Sequence, residues 1–392
     1  MDGEIPRQPA MALLGCGVFA RDAYIPILRA LQGTHITLRF VWSRSQAAAQ
    51  DMVQRVQGFA PDVEARWGEA GLEHILASPL VQCCAIVLPI LSQPGIVMRA
   101  LRAGKHVLQE KPVAGSVEVG LQTMHSYRAL QQDLLEEEEE EATASASPSP
   151  PIWAVAENYR FEPAFDEAGK LVRSLGTMVA VTVSIEVPMT KSNKYFDCEW
   201  RRDPSLKGAF ILDCGVHFVA GLRVMTGCDI KLVTAIATHR DPTVPAPDTL
   251  TTLIRFDNGC SGTMVITYAS SVSKACWRVV CSRGTVVVER GVKEGKFGYV
   301  VTLRPREEGG HQQQQPSSSQ FFPFSGLEEE WRAFVADVVH RSRSSSNSGR
   351  RRSADLRSSP REALKDLAIV EAALASGLHA DAPVSVKPAS IL

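Results

Sequence analysis

The chain has 392 residues, 45% hydrophobic and 22% charged, with a formal net charge of -1, which is ordinary for a soluble globular protein of roughly two domains. Such a balance gives no field to steer the chain to nucleic acid or an anionic membrane. The nine cysteines are scattered and odd in number, with no Cys-x-x-Cys pair; this argues against a disulfide framework or a zinc site and for reduced thiols in a cytoplasmic compartment.

Ala10 to Leu14 is a short apolar run that enters Gly15-Cys16-Gly17-Val18-Phe19-Ala20. Tyr24, Ile27, Leu28 and Leu31 then recur at helical spacing. The pattern reads strand, tight turn, helix, and its glycines explain an apolar stretch that would otherwise resemble a signal peptide. Further units follow: strand 36–42 with helix 47–56, helix 72–76 with strand 83–88, and helix 93–103 with strand 106–109. Alternation of this kind predicts a parallel sheet with right-handed crossovers. No run of about 18 apolar residues occurs, so no membrane span is expected.

Gly15-x-Gly17-x-x-Ala20 lies between a strand and a helix, where such a pattern binds a dinucleotide. The first glycine permits the turn, the second lets backbone approach a pyrophosphate, and the small third residue allows close helix packing. Strand 36–42 leads into Ser43-Arg44, and no carboxylate appears until Asp51. A hydroxyl and a guanidinium suit a 2′-phosphate, so NADP is expected over NAD. The last strand of this half delivers Glu110-Lys111-Pro112 to a carboxyl end, where ligands bind in open α/β sheets. Read alone, Glu110 and Lys111 fit a solvated surface pair equally well.

From Glu136 six glutamates in a row precede a stretch of Ala, Ser, Thr and Pro, expected to be a disordered insertion over 136–151. It separates a dinucleotide-binding domain, 1–135, from a second domain, 152–392. There the period switches to two: Val179, Val181, Val183, Ile185 and Val187 alternate with smaller or polar residues, as in a half-buried strand. Strands are expected at 152–156, 231–238, 250–256, 260–269, 277–282, 285–289, 298–303 and 384–387. Asp257-Asn258-Gly259 and Ser282-Arg283-Gly284 supply hairpin turns. The second domain is thus an α/β unit with a large, mainly antiparallel sheet. Tracts 306–320 and 341–360 read as disordered loops beside helices at 327–339 and 360–376, the second of which packs back on the first domain.

Trp200-Arg201-Arg202-Asp203-Pro204 precedes Asp213-Cys214-Gly215-Val216-His217 at the start of an apolar helix. Asp213 and His217 are four residues apart and share a helical face, so a carboxylate there can orient an imidazole for proton transfer. A second histidine at metal-ligand spacing is missing, so no metal is expected.

The glycine turn, the phrase A-L-R-A-G-K-H-V-L-Q-E-K-P, the segment Glu157-Asn158-Tyr159-Arg160-Phe161 (read as a strand) and W-R-R-D-P followed by D-C-G-V-H together resemble the Gfo/Idh/MocA family, which includes glucose-fructose oxidoreductase and inositol dehydrogenase. The resemblance covers the chain apart from the low-complexity tracts. It implies an N-terminal Rossmann domain, a C-terminal α/β domain with an open sheet, and hydride transfer between a nicotinamide and a sugar, polyol or related carbonyl. By position, Lys111 matches the lysine that hydrogen-bonds the reacting oxygen, His217 the acid/base, and Asp213 the acid one turn before it. Tyr195 and Arg201 join these three as candidate substrate contacts. Candidate cofactor contacts are Gly15, Gly17, Val18, Phe19, Ala20, Ser43, Arg44, Pro89, Glu110 and Lys111. The family also implies a homodimer or higher oligomer through the C-terminal sheet. One departure is Lys207-Gly208, where the family often has two glycines. The alternative reading is a catalytically inactive NADP-binding sensor or scaffold of the same fold.

Overall fold

The structure, a computed structural model, describes residues 8–140, 150–203, 205–306, 317–344, 354–378 and 382–386. The chain divides into two compact units, Met1–Ala156 with Leu327–Leu364 and Glu157–Gly326 with Lys365–Leu392.

In the first unit, β1 (Ala10–Leu14) leads through the glycine turn into a π-helical turn, Ala20–Tyr24, and α1 (Ile25–Leu31). The repeats that follow are β2 (Thr37–Ser43) with α2 (Gln46–Val56), and β3 (Glu64–Trp67) with α3 (Gly68–Ala77). Next come β4 (Cys83–Ile86) with α4 (Gln93–Arg102), β5 (His106–Glu110) with α5 (Val117–Glu140), and β6 (Trp153–Ala156). The six strands form one sheet in the order β3-β2-β1-β4-β5-β6, every pairing parallel. β1, β4 and β6 are apolar at every position and wholly buried, as strands covered on both faces must be.

The second unit opens on a 3-10 turn, Asn158–Arg160, and α6 (Pro163–Ser174), followed by β7 (Met178–Pro188), a 3-10 turn Glu199–Arg202, and α7 (Ala209–Thr226). β8 (Ile230–Thr238), β9 (Thr249–Phe256) and β10 (Ser261–Thr267) then run as one meander, and β11 (Ala269–Cys281), β12 (Gly284–Lys293), β13 (Lys296–Pro305) and β14 (Ser318–Pro323) as a second, with β7 between the two. The chain returns to the first unit with α8 (Gly326–Ser344), and α9 (Pro360–Leu378) leads to β15 (Val384–Ser385). The nine-stranded order is β14-β13-β12-β11-β7-β10-β9-β8-β15, antiparallel except where β7 pairs β10. Asp257-Asn258-Gly259 turns β9 into β10, with Asn258 Oδ1 accepting from the Cys260 amide at 2.9 Å. On β9 burial alternates strictly: Leu250, Thr252, Ile254 and Phe256 face the core and the opposite face meets solvent.

Several expectations change. Glu136–Glu140 is not an insertion but the last turns of α5, because glutamate is a strong helix former; residues 141–149 lie outside the described residues. β6 hydrogen-bonds β5, so 153–156 belongs to the first sheet and not to the second domain. Segment 327–364 also returns to the first unit, where Trp331, Phe334, Val335 and Val338 of α8 share a core cluster with Met11, Leu13, Tyr24 and Leu28. Residues 318–320 pair with β13 and 341–344 complete α8, whereas 307–316 and 345–353 lie outside the described residues. Glu157–Phe161 is not a strand: the Glu157 side chain accepts from the Tyr159 amide at 3.2 Å and caps the 3-10 turn. Although α7 is long and apolar enough to cross a membrane, 83% of it is buried as a core helix.

Candidate active site

Two groups of side chains gather the residues singled out in the sequence, one in each unit. In the first, Gly15 follows β1 at φ 121°, and a Cβ there would lie 2.1 Å from the Val87 carbonyl oxygen. Only glycine fits, so the turn is drawn against the end of β4. Gly17 is the reverse case. A Cβ at Gly17 would meet nothing within 4 Å, so open space faces the backbone where the chain turns helical at Val18 and Phe19. Buried Ala20 lets the first helical turn lie close on the sheet. This is the cradle a pyrophosphate requires, and the residues present fit a dinucleotide.

The Cys16 thiol within this turn is no nucleophile: burial pushes it up to about 12, and it donates to the Trp42 carbonyl at 3.4 Å. At the end of β2, Ser43 is half-buried and Arg44 exposed, and Arg44 has no hydrogen-bond partner among the described residues. Ser45, not Ser43, caps α2. Asp51, the next acid, is held on α2 by both Nε and Nη2 of Arg55 at 2.7 and 3.1 Å. Pro89 starts the 3-10 turn after β4, at the same sheet end as the glycine turn.

β5 carries Glu110 and Lys111 to that end as well. Glu110 is buried and accepts from the Tyr24 hydroxyl at 2.5 Å. Tyr24 packs edge-on against Trp331 at 4.9 Å and Phe19 at 5.5 Å, so one hydrogen bond ties the glycine-turn helix to the Glu-Lys-Pro strand. Buried Gln109 donates to the Val113 carbonyl at 2.9 Å and accepts from Trp153 Nε1 at 2.9 Å. The turn at Lys111 and Pro112 is thereby pinned from both sides, and the peptide joining them is cis.

In the second unit, α7 carries Asp213 and His217. Asp213 is almost fully buried and accepts from Arg201 Nε and Nη2 at 2.9 and 2.6 Å. Burial would lower the Arg201 pKa, but the Asp213 carboxylate outweighs it and the guanidinium is held above its ordinary range. Its cation lies over the rings of Trp200, Tyr195 and Phe210 at 4.2, 5.3 and 5.4 Å, so Tyr195 joins the cluster through its ring face. Arg201 also lines a cleft of about 470 Å3 with Leu206, Gly208 and Ala209.

The carboxylate facing His217 Nδ1 is that of Glu157, at 2.6 Å. Glu157 is 2% exposed. The Tyr159 ring stacks on the imidazole, centroids 4.9 Å apart and planes 19° from parallel, and the Tyr159 hydroxyl accepts from Arg290. Beneath them Arg160 and Arg223 bind Asp366 of α9. The four-residue spacing predicts that Asp213 orients His217; the carboxylate in contact with Nδ1 is instead that of a residue 60 positions away in sequence, just past β6. No motif marks Glu157, Tyr159, Tyr24 or Gln109 as members of these clusters, although the first two sit in the segment Glu157 to Phe161 that carries part of the family resemblance.

A Rossmann unit with a pyrophosphate cradle, joined in one chain to an open-sheet unit bearing an anchored imidazole, defines an NAD(P)-dependent oxidoreductase. The chain belongs to the Gfo/Idh/MocA family: residues 10–138 match the oxidoreductase family with an NAD-binding Rossmann fold, and residues 165–287 match the GFO/IDH/MocA C-terminal domain. It is 29% identical over 377 residues to dehydrogenase FPY6 of Fusarium mangiferae, covering 93% of this chain and 95% of that protein. It is also 25% identical over 292 residues to dTDP-3,4-didehydro-2,6-dideoxy-alpha-D-glucose 3-reductase of Streptomyces violaceoruber, covering 73% of this chain and 74% of that one. Among solved structures, an oxidoreductase from Thermotoga maritima matches with a TM-score of 0.76 and 26% identity, over 98% of this chain and 100% of that one.

Proposed function

We propose that the protein is an NADP-dependent oxidoreductase that interconverts a carbinol and a carbonyl on a sugar, polyol or related small molecule. The observation that carries this reading is the imidazole of His217, held at Nδ1 by a buried carboxylate 2.6 Å away. A carboxylate at Nδ1 fixes the ring's tautomer and orientation, which an imidazole exchanging a hydroxyl proton requires. Bound, the nicotinamide supplies or takes the hydride. His217 gives or takes the hydroxyl proton, and Lys111 stabilises the developing alkoxide by its charge. Asp213, Arg201 and Tyr195 hold substrate hydroxyls. The cofactor is held by Gly15, Gly17, Val18, Phe19, Ala20, Ser43, Arg44, Pro89, Glu110 and Lys111. The sugar class is supported by the hexose-derivative reductase of Streptomyces violaceoruber to which the chain is similar.

NADP is favoured over NAD by the exposed Arg44 after β2 and by the engagement of Asp51 with Arg55. The open sheet face supports a homodimer or higher oligomer, because Ile236 and Leu253 are 53 and 59% exposed on β8 and β9. Sugars, polyols and dihydrodiols followed at the NADPH absorbance band test the assignment. Turnover is expected with at least one of them and to vanish in Lys111→Met with NADP binding intact; a Lys111→Met enzyme that turns over normally refutes the role of that lysine. Arg44→Ala is expected to erode the preference for NADP, and equal use of NAD by the unmodified protein refutes the cofactor assignment.

A further inference from the structure

We infer that Glu157 is the positioning residue for His217: it fixes the proton of the neutral imidazole on Nδ1 and thereby makes Nε2 the ring nitrogen that works on substrate. The inference rests on the proposed acid/base role of His217 and adds a residue to it. Three features support it. Glu157 Oε1 lies 2.6 Å from Nδ1. An ionised carboxylate only accepts hydrogen bonds, so that nitrogen must carry the hydrogen, and in a neutral ring the lone pair then resides on Nε2.

The carboxylate is itself fixed. Its Oε1 also accepts from the Tyr159 amide at 3.2 Å, so it is tied to the 3-10 turn that starts where β6 ends. That turn is buried at Asn158, Tyr159 and Arg160, and Arg160 is bound to Asp366. A rigid backbone cap is therefore also the imidazole's orienter.

The third feature is the ring stack. Tyr159 covers one face of the imidazole nearly in parallel, and its hydroxyl is held by Arg290. Rotation of the imidazole about its ring bond would break both the stack and the Glu157 contact. Glu157 and Tyr159 thus come from one short turn and restrain the two freedoms an acid/base histidine must lose, tautomer and orientation.

The direct test is 15N NMR of the wild-type protein labelled at histidine, with His217 assigned by its loss in His217→Asn. An Nδ1 bearing the proton and an acceptor-type Nε2 are expected; the opposite tautomer overturns the inference. In kinetics, Glu157→Gln keeps the shape but removes the charge and permits either tautomer, so kcat is expected to fall by roughly 10- to 100-fold, with KM and NADP affinity held within about twofold. Glu157→Asp should recover part of the loss. A Glu157→Gln enzyme with unchanged kcat overturns the inference while leaving the proposed function standing, provided His217→Asn is inactive. An active His217→Asn instead brings down the proposed role of His217 itself.

Discussion

Each unit contains a buried glutamate against a ring, and the two pairs differ in what they can do. In the first, Glu110 accepts from the Tyr24 phenol. Burial and the neighbouring Glu110 and Glu330 carboxylates hold that phenol well above its ordinary pKa, so it stays protonated and the bond is a fixed strut between a helix and a strand. In the second, Glu157 faces an imidazole, the one ring whose ordinary pKa lies near neutrality. The same carboxylate chemistry gives a strut in one region and, on the proposed role of His217, holds the proton-exchanging ring in the other. Binding a dinucleotide needs the first, and exchanging a hydroxyl proton needs the second.

Substitutions should separate the two roles. His217→Asn is expected to have the largest effect, a loss of roughly 10²- to 10⁴-fold in kcat with NADP affinity and melting temperature retained; stopped-flow hydride transfer measures it. Tyr24→Phe should do the converse. It leaves the buried Glu110 carboxylate short of a donor and should cost about 1–3 kcal/mol in urea unfolding, with kcat little altered.

A third measurement uses pH. His106 of β5 accepts from the Ile152 amide at 2.9 Å, and burial, helped by Arg341, pushes its pKa down from 6.5 to about 4. A histidine depressed in the folded state binds fewer protons than in the unfolded chain. Its stabilisation is full above the ordinary value and is lost as pH falls from 6.5 toward 4. Chemical denaturation at pH 7 and pH 5 should show a loss on the order of 2 kcal/mol that shrinks in His106→Gln, whose amide oxygen can accept the same bond. The smallest effect is expected for Gly17→Ala. Its methyl enters open space, so stability should hold while NADP affinity falls about tenfold, near 1.4 kcal/mol; Gly15→Ala, aimed at the Val87 carbonyl, should instead destabilise the fold.

How far the sequence was legible follows the same division. β1, β4 and β6 were readable because strands buried on both faces are short apolar runs, and β7 because one open face imposes alternation. β3, Glu-Ala-Arg-Trp, and β14, Ser-Ser-Gln-Phe-Phe-Pro, are the edge strands at one end of their sheets; their half-exposed, polar sequences hid a pairing that only the neighbouring backbone makes. Lys111, Asp213 and His217 stood out because each lies in a compact motif. Glu157 did not, since its partner is 60 residues away, and nothing local distinguishes a glutamate that caps a 3-10 turn from one that also orients an imidazole.

The return of α8 to the first unit bears on how the chain is made. Trp331, Phe334, Val335 and Val338 complete a core whose other members include Met11, Leu13, Tyr24 and Ile152, so that core lacks a wall until more than 330 residues have been synthesised. The cofactor-binding half begins first on the ribosome but cannot finish first, and a fragment ending at Ala156 would expose the apolar groove that α8 fills. The second unit is translated in the interval, which makes completion of the nucleotide-binding core a late event in the life of the nascent chain.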